Sequence, residues 1–178
     1  MKYEETGILK EISGVKVRDV ITYRSTGKTE VIEHGHNLVV QGILPVIMGL
    51  MKGEESYCIQ YWAVGSGADT WDVKTPEPIA SETKLTKEIG RKAVLKSNMK
   101  FADPVTYKDS VDPTRCIKIT TTFYENDCNG TWREFGLFGG NATTEKDSGS
   151  MIDKKHHGII TKTTDMVIER QIYIILSL

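Results

Sequence analysis

The chain has 178 residues, 39% of them hydrophobic and 26% charged, and its 23 Lys and Arg against 24 Asp and Glu leave a formal charge of -1. This is enough chain for one domain, too apolar to be disordered and too polar to be a membrane protein. No summed positive field exists to gather nucleic acid or anionic lipid, so neither is expected as a partner.

Met1 to Lys10 hold only Ile8 and Leu9 as an apolar pair, which makes no signal-peptide core, so no cleaved export is expected. From Val15 to Tyr23 apolar residues recur at Val15, Val17 and Ile21 with Arg18 and Thr22 interleaved, the period of a half-buried strand. Arg24 to Lys28, with Gly27, reads as a turn, and Thr29 to Glu33 as the returning strand, so residues from about 8 to 36 form an expected hairpin ending at His34-Gly35-His36. Leu38 to Met51 is the densest apolar stretch, interrupted by Gln41, Gly42, Pro45 and Gly49, and it is too short for a bilayer. It reads as a buried helix in one of two versions: capped by Asn37 and kinked at Pro45, or beginning near Leu44 and ending around Met51 or Gly53.

Cys58 to Val64 alternates as a strand buried on both sides and stops at Gly65-Ser66-Gly67. A surface loop to Ser81 carries Asp69, Asp72, Pro76 and Pro78. Ile89 to Phe101 is expected as another strand, followed by a loop from Pro104 to Pro113. Ile117, Ile119, Thr121 and Phe123 share a face, and the chain turns at Asp127-Cys128-Asn129-Gly130 before alternating again through Trp132 and Phe138, which reads as a hairpin over Arg115 to Phe138. Gly139 to Gly149 is a polar excursion, and the β-branched run Met166 to Ile174 closes the chain. The whole is expected to be mainly β: one domain over 1–178, an antiparallel sandwich or partly closed barrel with one buried helix, its core running from about residue 37 onward.

No catalytic set emerges. Gly27-Lys28-Thr29 lacks the earlier glycine of a phosphate loop, since position 22 is Thr22, and Gly65-Ser66-Gly67 fits neither a nucleophile elbow nor a dinucleotide fingerprint. Three cysteines, Cys58, Cys116 and Cys128, cannot all pair within the chain and form no close Cys-x-x-Cys. His34 and His36 alternate on an extended segment and are the candidate metal ligands, weighed against a plain loop exit. Asp103, Asp109, Asp112 and Asp127 do not follow a calcium-loop spacing, and no cofactor is expected. Among the aromatics, Trp62 and Trp132 read as core, and Trp71, in a loop, as the candidate contact residue.

Several short motifs stand in a fixed order: Asn37 before a Gly42-interrupted apolar segment, Tyr61-Trp62-Ala63-Val64-Gly65-Ser66-Gly67, and Thr83 to Glu88 with Arg91. Trp132-Arg133-Glu134-Phe135-Gly136-Leu137-Phe138 follows, then Gly149-Ser150-Met151-Ile152 and Glu169-Arg170-Gln171-Ile172. From about Asn37 onward this order resembles a widespread group of small tailed-bacteriophage structural proteins, of the tail-fibre or tail-associated virion kind. The resemblance implies a β-rich, non-enzymatic module made in the bacterial cytoplasm. It would assemble in the virion with other virion proteins as a homo-oligomer, with a trimer as one form.

Within that frame Arg133 and Glu134 lie in an apolar strand and need partners if covered, with Arg91, Glu88 and Arg170 as the available charges. The alternative is that they project to opposite faces and one is solvated. The loops Asp69 to Ser81 and Gly139 to Gly149 are the expected contact surfaces, through Trp71, Asp72, Asn141 and Thr143. Three other readings stand beside this one. They are a capsid decoration or head-fibre protein, a module binding host-surface glycan on Trp71, Tyr57 and Tyr61, and a metal-dependent hydrolase centred on His34, His36, His156 and His157.

Overall fold

A computed structural model describes residues 16–54, 58–71 and 75–175, with the side chain of His36 outside the description. The elements are β1 (Lys16–Tyr23), β2 (Thr29–His36), β3 (Leu38–Val39), α1 (Ile43–Met51), β4 (Ile59–Gly65), β5 (Glu88–Ala93), β6 (Met99–Ala102), β7 (Asp109–Ser110), β8 (Cys116–Phe123), β9 (Gly130–Gly139), β10 (Ser150–Lys162) and β11 (Met166–Ile175). They make two antiparallel sheets, ordered β2-β1-β11-β8-β6-β7 and β3-β10-β9-β4-β5. The fold is therefore mainly β, a sandwich and not a closed barrel. No helix among the described residues is long and apolar enough to cross a membrane.

The period-two pattern builds the core directly. Val17 and Ile21 of β1, Ile119 and Phe123 of β8, and Ile168 and Ile172 of β11 meet Trp62, Val64, Trp132, Phe135, Leu137 and Ile152 from the other sheet. Trp62 and Trp132 are fully buried, as their positions in the strands require. A second, smaller core of Val40, Ala63, Leu85, Phe138, Ala142 and Met151 lies on the opposite face of the five-stranded sheet, so β4 and β9 are covered on both sides. The expected amino-terminal hairpin is present as β1 and β2, and β1 also pairs along its whole length with β11, from Lys16 opposite Tyr173 to Tyr23 opposite Met166. That hairpin is thus the margin of the six-stranded sheet.

The later version of the helix is the one formed. Pro45 falls in the first turn of α1, where its missing N–H costs nothing, and Gly42 occupies the N-cap position. Asn37 instead donates from Nδ2 to the Asp153 carboxylate. The helix is only half buried: Ile43, Val46 and Gly49 face inward, while Met48 and Met51 are 63% and 77% exposed.

Two expected elements take a different form. The stretch Arg115 to Phe138 is not a hairpin: β8 pairs with β11 and β6, β9 pairs with β10 and β4, and the turn between them carries the chain from one sheet to the other. Cys128 at φ 52 and Gly130 at φ 135 supply the left-handed backbone of that arch. The expected strand Ile89 to Phe101 is broken by a 3-10 turn at Lys96–Asn98 into β5 and β6, which belong to different sheets. Alternation identifies an extended segment but carries no information about its neighbour, and turn residues suit an arch as well as a hairpin.

Candidate functional site

The interior of the sandwich holds a charged cluster. Asp19 of β1 stands opposite Arg170 of β11, both fully buried, and the Arg170 Nε donates to Asp19 Oδ1 at 2.7 Å while Nη2 donates to Oδ2 at 2.5 Å. Burial alone would raise the Asp19 carboxyl, but the guanidinium and His34 together hold it well below the usual carboxylate range. The Arg170 guanidinium carbon lies 4.1 Å from the ring centre of Phe135, 5.3 Å from that of Trp132 and 5.6 Å from that of Trp62, so its faces meet aromatic rings in place of water.

His34 enters this cluster from an irregularity in the β1–β2 pairing, where Arg18 and Val17 are opposite Glu33 and Gly35. Its Nε2 lies 2.8 Å from Asp19 Oδ2, where an N–H donates to the carboxylate. The His157 ring is 4.9 Å from that of His34, centre to centre, and 5.4 Å from that of Phe135. Its Nδ1 donates to the Gly158 carbonyl at 2.6 Å, and burial pushes the imidazole down to about 3, so it is neutral at pH 7. His34, His156 and His157, with Glu33, Thr75 and Lys155, line a cleft of about 400 Å³.

A second set of buried charges ties the segment between β4 and β5 onto the outer face of the five-stranded sheet. Glu134, fully buried on β9, accepts from the backbone N–H groups of Thr86 and Lys87 at 2.9 Å and of Gly67 at 3.2 Å, and lies 3.3 Å from the Lys154 Nζ. Lys154 also donates to Glu82 and to the Lys84 carbonyl. Arg133 donates to the Trp71 carbonyl at 2.6 Å and sits over the Trp71 ring, while the His156 ring lies 4.3 Å from the same indole. Burial lowers His156, whose Nδ1 donates to the Pro76 carbonyl. The loop after β9 is held likewise: Arg91 makes a two-pronged pair with Glu88 at 2.7 Å and donates to the Thr143 and Ser148 carbonyls and to Ser148 Oγ, and the Asp147 N–H donates to Glu88.

The expected partners of Glu134 and Arg133 are thereby revised. Glu134 pairs with Lys154 and three backbone amides, Arg133 engages Trp71, Arg91 takes Glu88, and Arg170 takes Asp19. The expected contact loops are anchored by these charges, and the Trp71 ring is occupied by Arg133 and His156. Thr143 is bound to Ser148 within its own loop and Asn141 is exposed, whereas Asp72 and Tyr57 lie outside the described residues. His34, His156 and His157 line one cleft but do not converge as a ligand set: His157 packs beside His34, His156 lies against Trp71, and the His36 side chain lies outside the described residues. Among the described residues no three His, Cys, Asp or Glu are arranged to hold a metal ion.

Sequence reasoning missed Asp19, Lys154 and Lys162, three of the most buried charges. Asp19 alone carried a signal, because it falls between Val17 and Ile21 on the inward parity of β1.

At the end of the sandwich beside α1 the surface is apolar. A groove of about 260 Å³ runs between Ile43, Val46, Ile47 and Leu50 of the helix and Ile59, Ile117 and Ile174 of the sheets. Leu44, Met48, Leu50 and Met51 are exposed next to it. No protein-family model matches the chain, and no curated protein matches it.

Proposed function

We propose that this protein is a non-enzymatic structural component of a bacteriophage virion or phage-like tail, tail fibre or tail-associated, that works by associating with copies of itself and with neighbouring virion proteins. The observation that carries the reading is α1. One side of this helix plugs the end of the sandwich, and the other presents Leu44, Met48, Leu50 and Met51 to solvent beside an apolar groove. A contiguous apolar surface of this kind on a folded domain marks a protein contact. The ordered strand-end motifs that resemble phage structural proteins supply the setting. Buried charges that fix both long loops suit a module that must present a constant shape to its neighbours.

Light scattering on the eluting protein, together with immunogold labelling of purified particles, tests the proposal. A multimer and label on the tail are expected. Label on the head would move the same structural role to capsid decoration, and a strict monomer absent from particles overturns the proposal.

A further inference from the structure

Lys162, the last residue of β10, is 1% exposed, an unusual place for an ammonium group. Its Nζ lies 2.9 Å from the Asn129 side-chain Oδ1, 2.6 Å from the Tyr124 carbonyl and 3.4 Å from the Glu125 carbonyl, all in the arch between β8 and β9. The Asn129 amide is itself held, because Nδ2 donates to the Glu125 carbonyl at 2.8 Å. A buried amine and an exposed carboxamide, each fixed by further hydrogen bonds, are therefore in contact through the Nζ–Oδ1 hydrogen bond. The sequence distance between them is large, so only the closed sandwich brings them together.

We propose that Lys162 and Asn129 are the two halves of an intramolecular amide crosslink, formed by the folded protein on itself. The chemistry needs no co-reactant. Lys162 Nζ gives up a proton and its lone pair attacks Asn129 Cγ; the Cγ–Nδ2 bond breaks, and the side-chain nitrogen leaves as ammonia. One C–N bond is made and one is broken, there is no redox change, and ammonium is the only other product at neutral pH. Burial favours the reactive form, since desolvation lowers the Lys162 ammonium despite the nearby Asp127 and Glu125 carboxylates. Fixed proximity supplies the rest, because two groups held together by a 2.9 Å hydrogen bond react as though at very high concentration. Asp127, paired with Lys92 at 2.6 Å in the same arch, is a carboxylate whose field reaches Lys162, and it is the proposed acceptor for the departing proton.

The product would join the end of β10 to the β8–β9 arch. It would tie together two places where the chain passes between sheets, since the turn after Lys162 leads directly into β11.

Intact-mass spectrometry of the purified full chain tests this. The wild-type protein is expected about 17 Da below its sequence mass, the loss of one ammonia. Proteolytic mapping should yield one branched peptide joining the Asn129 and Lys162 fragments. Lys162→Arg, which keeps the charge, and Asn129→Ala are each expected at their full sequence mass. A wild-type chain at full mass after complete folding overturns the proposal. So does an ammonia loss that survives in Lys162→Arg or a hydroxylamine treatment that splits the chain after Asn129, either of which would mark cyclisation at Asn129-Gly130 instead.

Discussion

A buried charge is tolerated only while its partner stays in place. Asp19 and Arg170 are both fully buried and meet through two hydrogen bonds, so removing either one strands the other in the core. Asp19→Ala should lower stability by about 3–5 kcal/mol, read from the denaturant midpoint. Replacing both residues together by apolar ones of similar volume should recover most of that loss.

Asp153 obeys the opposite rule. It is buried and accepts hydrogen bonds from the Asn37 Nδ2 and the Leu137 N–H, and burial pushes its carboxyl up to about 6. Its folded value lies above the ordinary aspartate value of 3.8, so the folded state binds the proton more tightly than the unfolded chain does. The stabilising contribution is complete below about pH 4 and is lost as pH rises through about 6. Asp153→Asn, which is neutral throughout, should therefore be more stable than the wild type at pH 8 and show little advantage at pH 4 when melting is followed at both. Asp19, held low, runs the other way and weakens the fold only as the solution becomes strongly acidic.

At the scale of elements, the clamp on the segment after β4 rests on one side chain. Glu134 accepts from Gly67, Thr86 and Lys87, so the isosteric Glu134→Gln replaces one acceptor oxygen by a donor and opposes these N–H groups. The expected outcome is faster limited proteolysis between residues 67 and 87, with the two sheets still folded by circular dichroism. Gly42 is a second pivot: a Cβ there would overlap the Met151 carbonyl, so Gly42→Ala should cost about 1–3 kcal/mol and displace the start of α1.

The sequence makes most strands legible because period-two burial is local. Val17 and Ile21, Ile119 and Phe123, and Tyr61 through Val64 all declare their faces. It does not make pairing legible. Asp127 to Gly130 turns the chain whether the next strand lies alongside or in the opposing sheet, and the choice is settled by contacts far away, such as β8 against β11. The charged cluster was hidden for the same reason. Arg133 and Glu134 stood out as charges in an apolar strand and Arg170 as an available partner, but Asp19, which pairs with Arg170, and Lys154, which pairs with Glu134, come from β1 and β10, and nothing in local spacing connects them.

For the whole molecule, the decisive question is what meets α1. If its outward side chains hold copies together, Met48→Ser with Met51→Ser should shift the protein toward monomer in light scattering while leaving its melting temperature nearly unchanged, since both residues are mostly exposed. The arrangement of the first and last strands among the described residues bears on how such an assembly could carry load. Lys16 and Tyr173 are register partners on adjacent antiparallel strands, so tension applied through both extremities would peel β1 from β11 one bond at a time, the weakest way to pull a sheet. A chain anchored by one extremity and gripped elsewhere on its body would instead have to slide whole strands past each other, breaking many bonds at once. Any tethered use of this module is mechanically sound only with the second geometry, and optical-tweezer traces comparing the two attachment points would show the contrast as a low and a high rupture force.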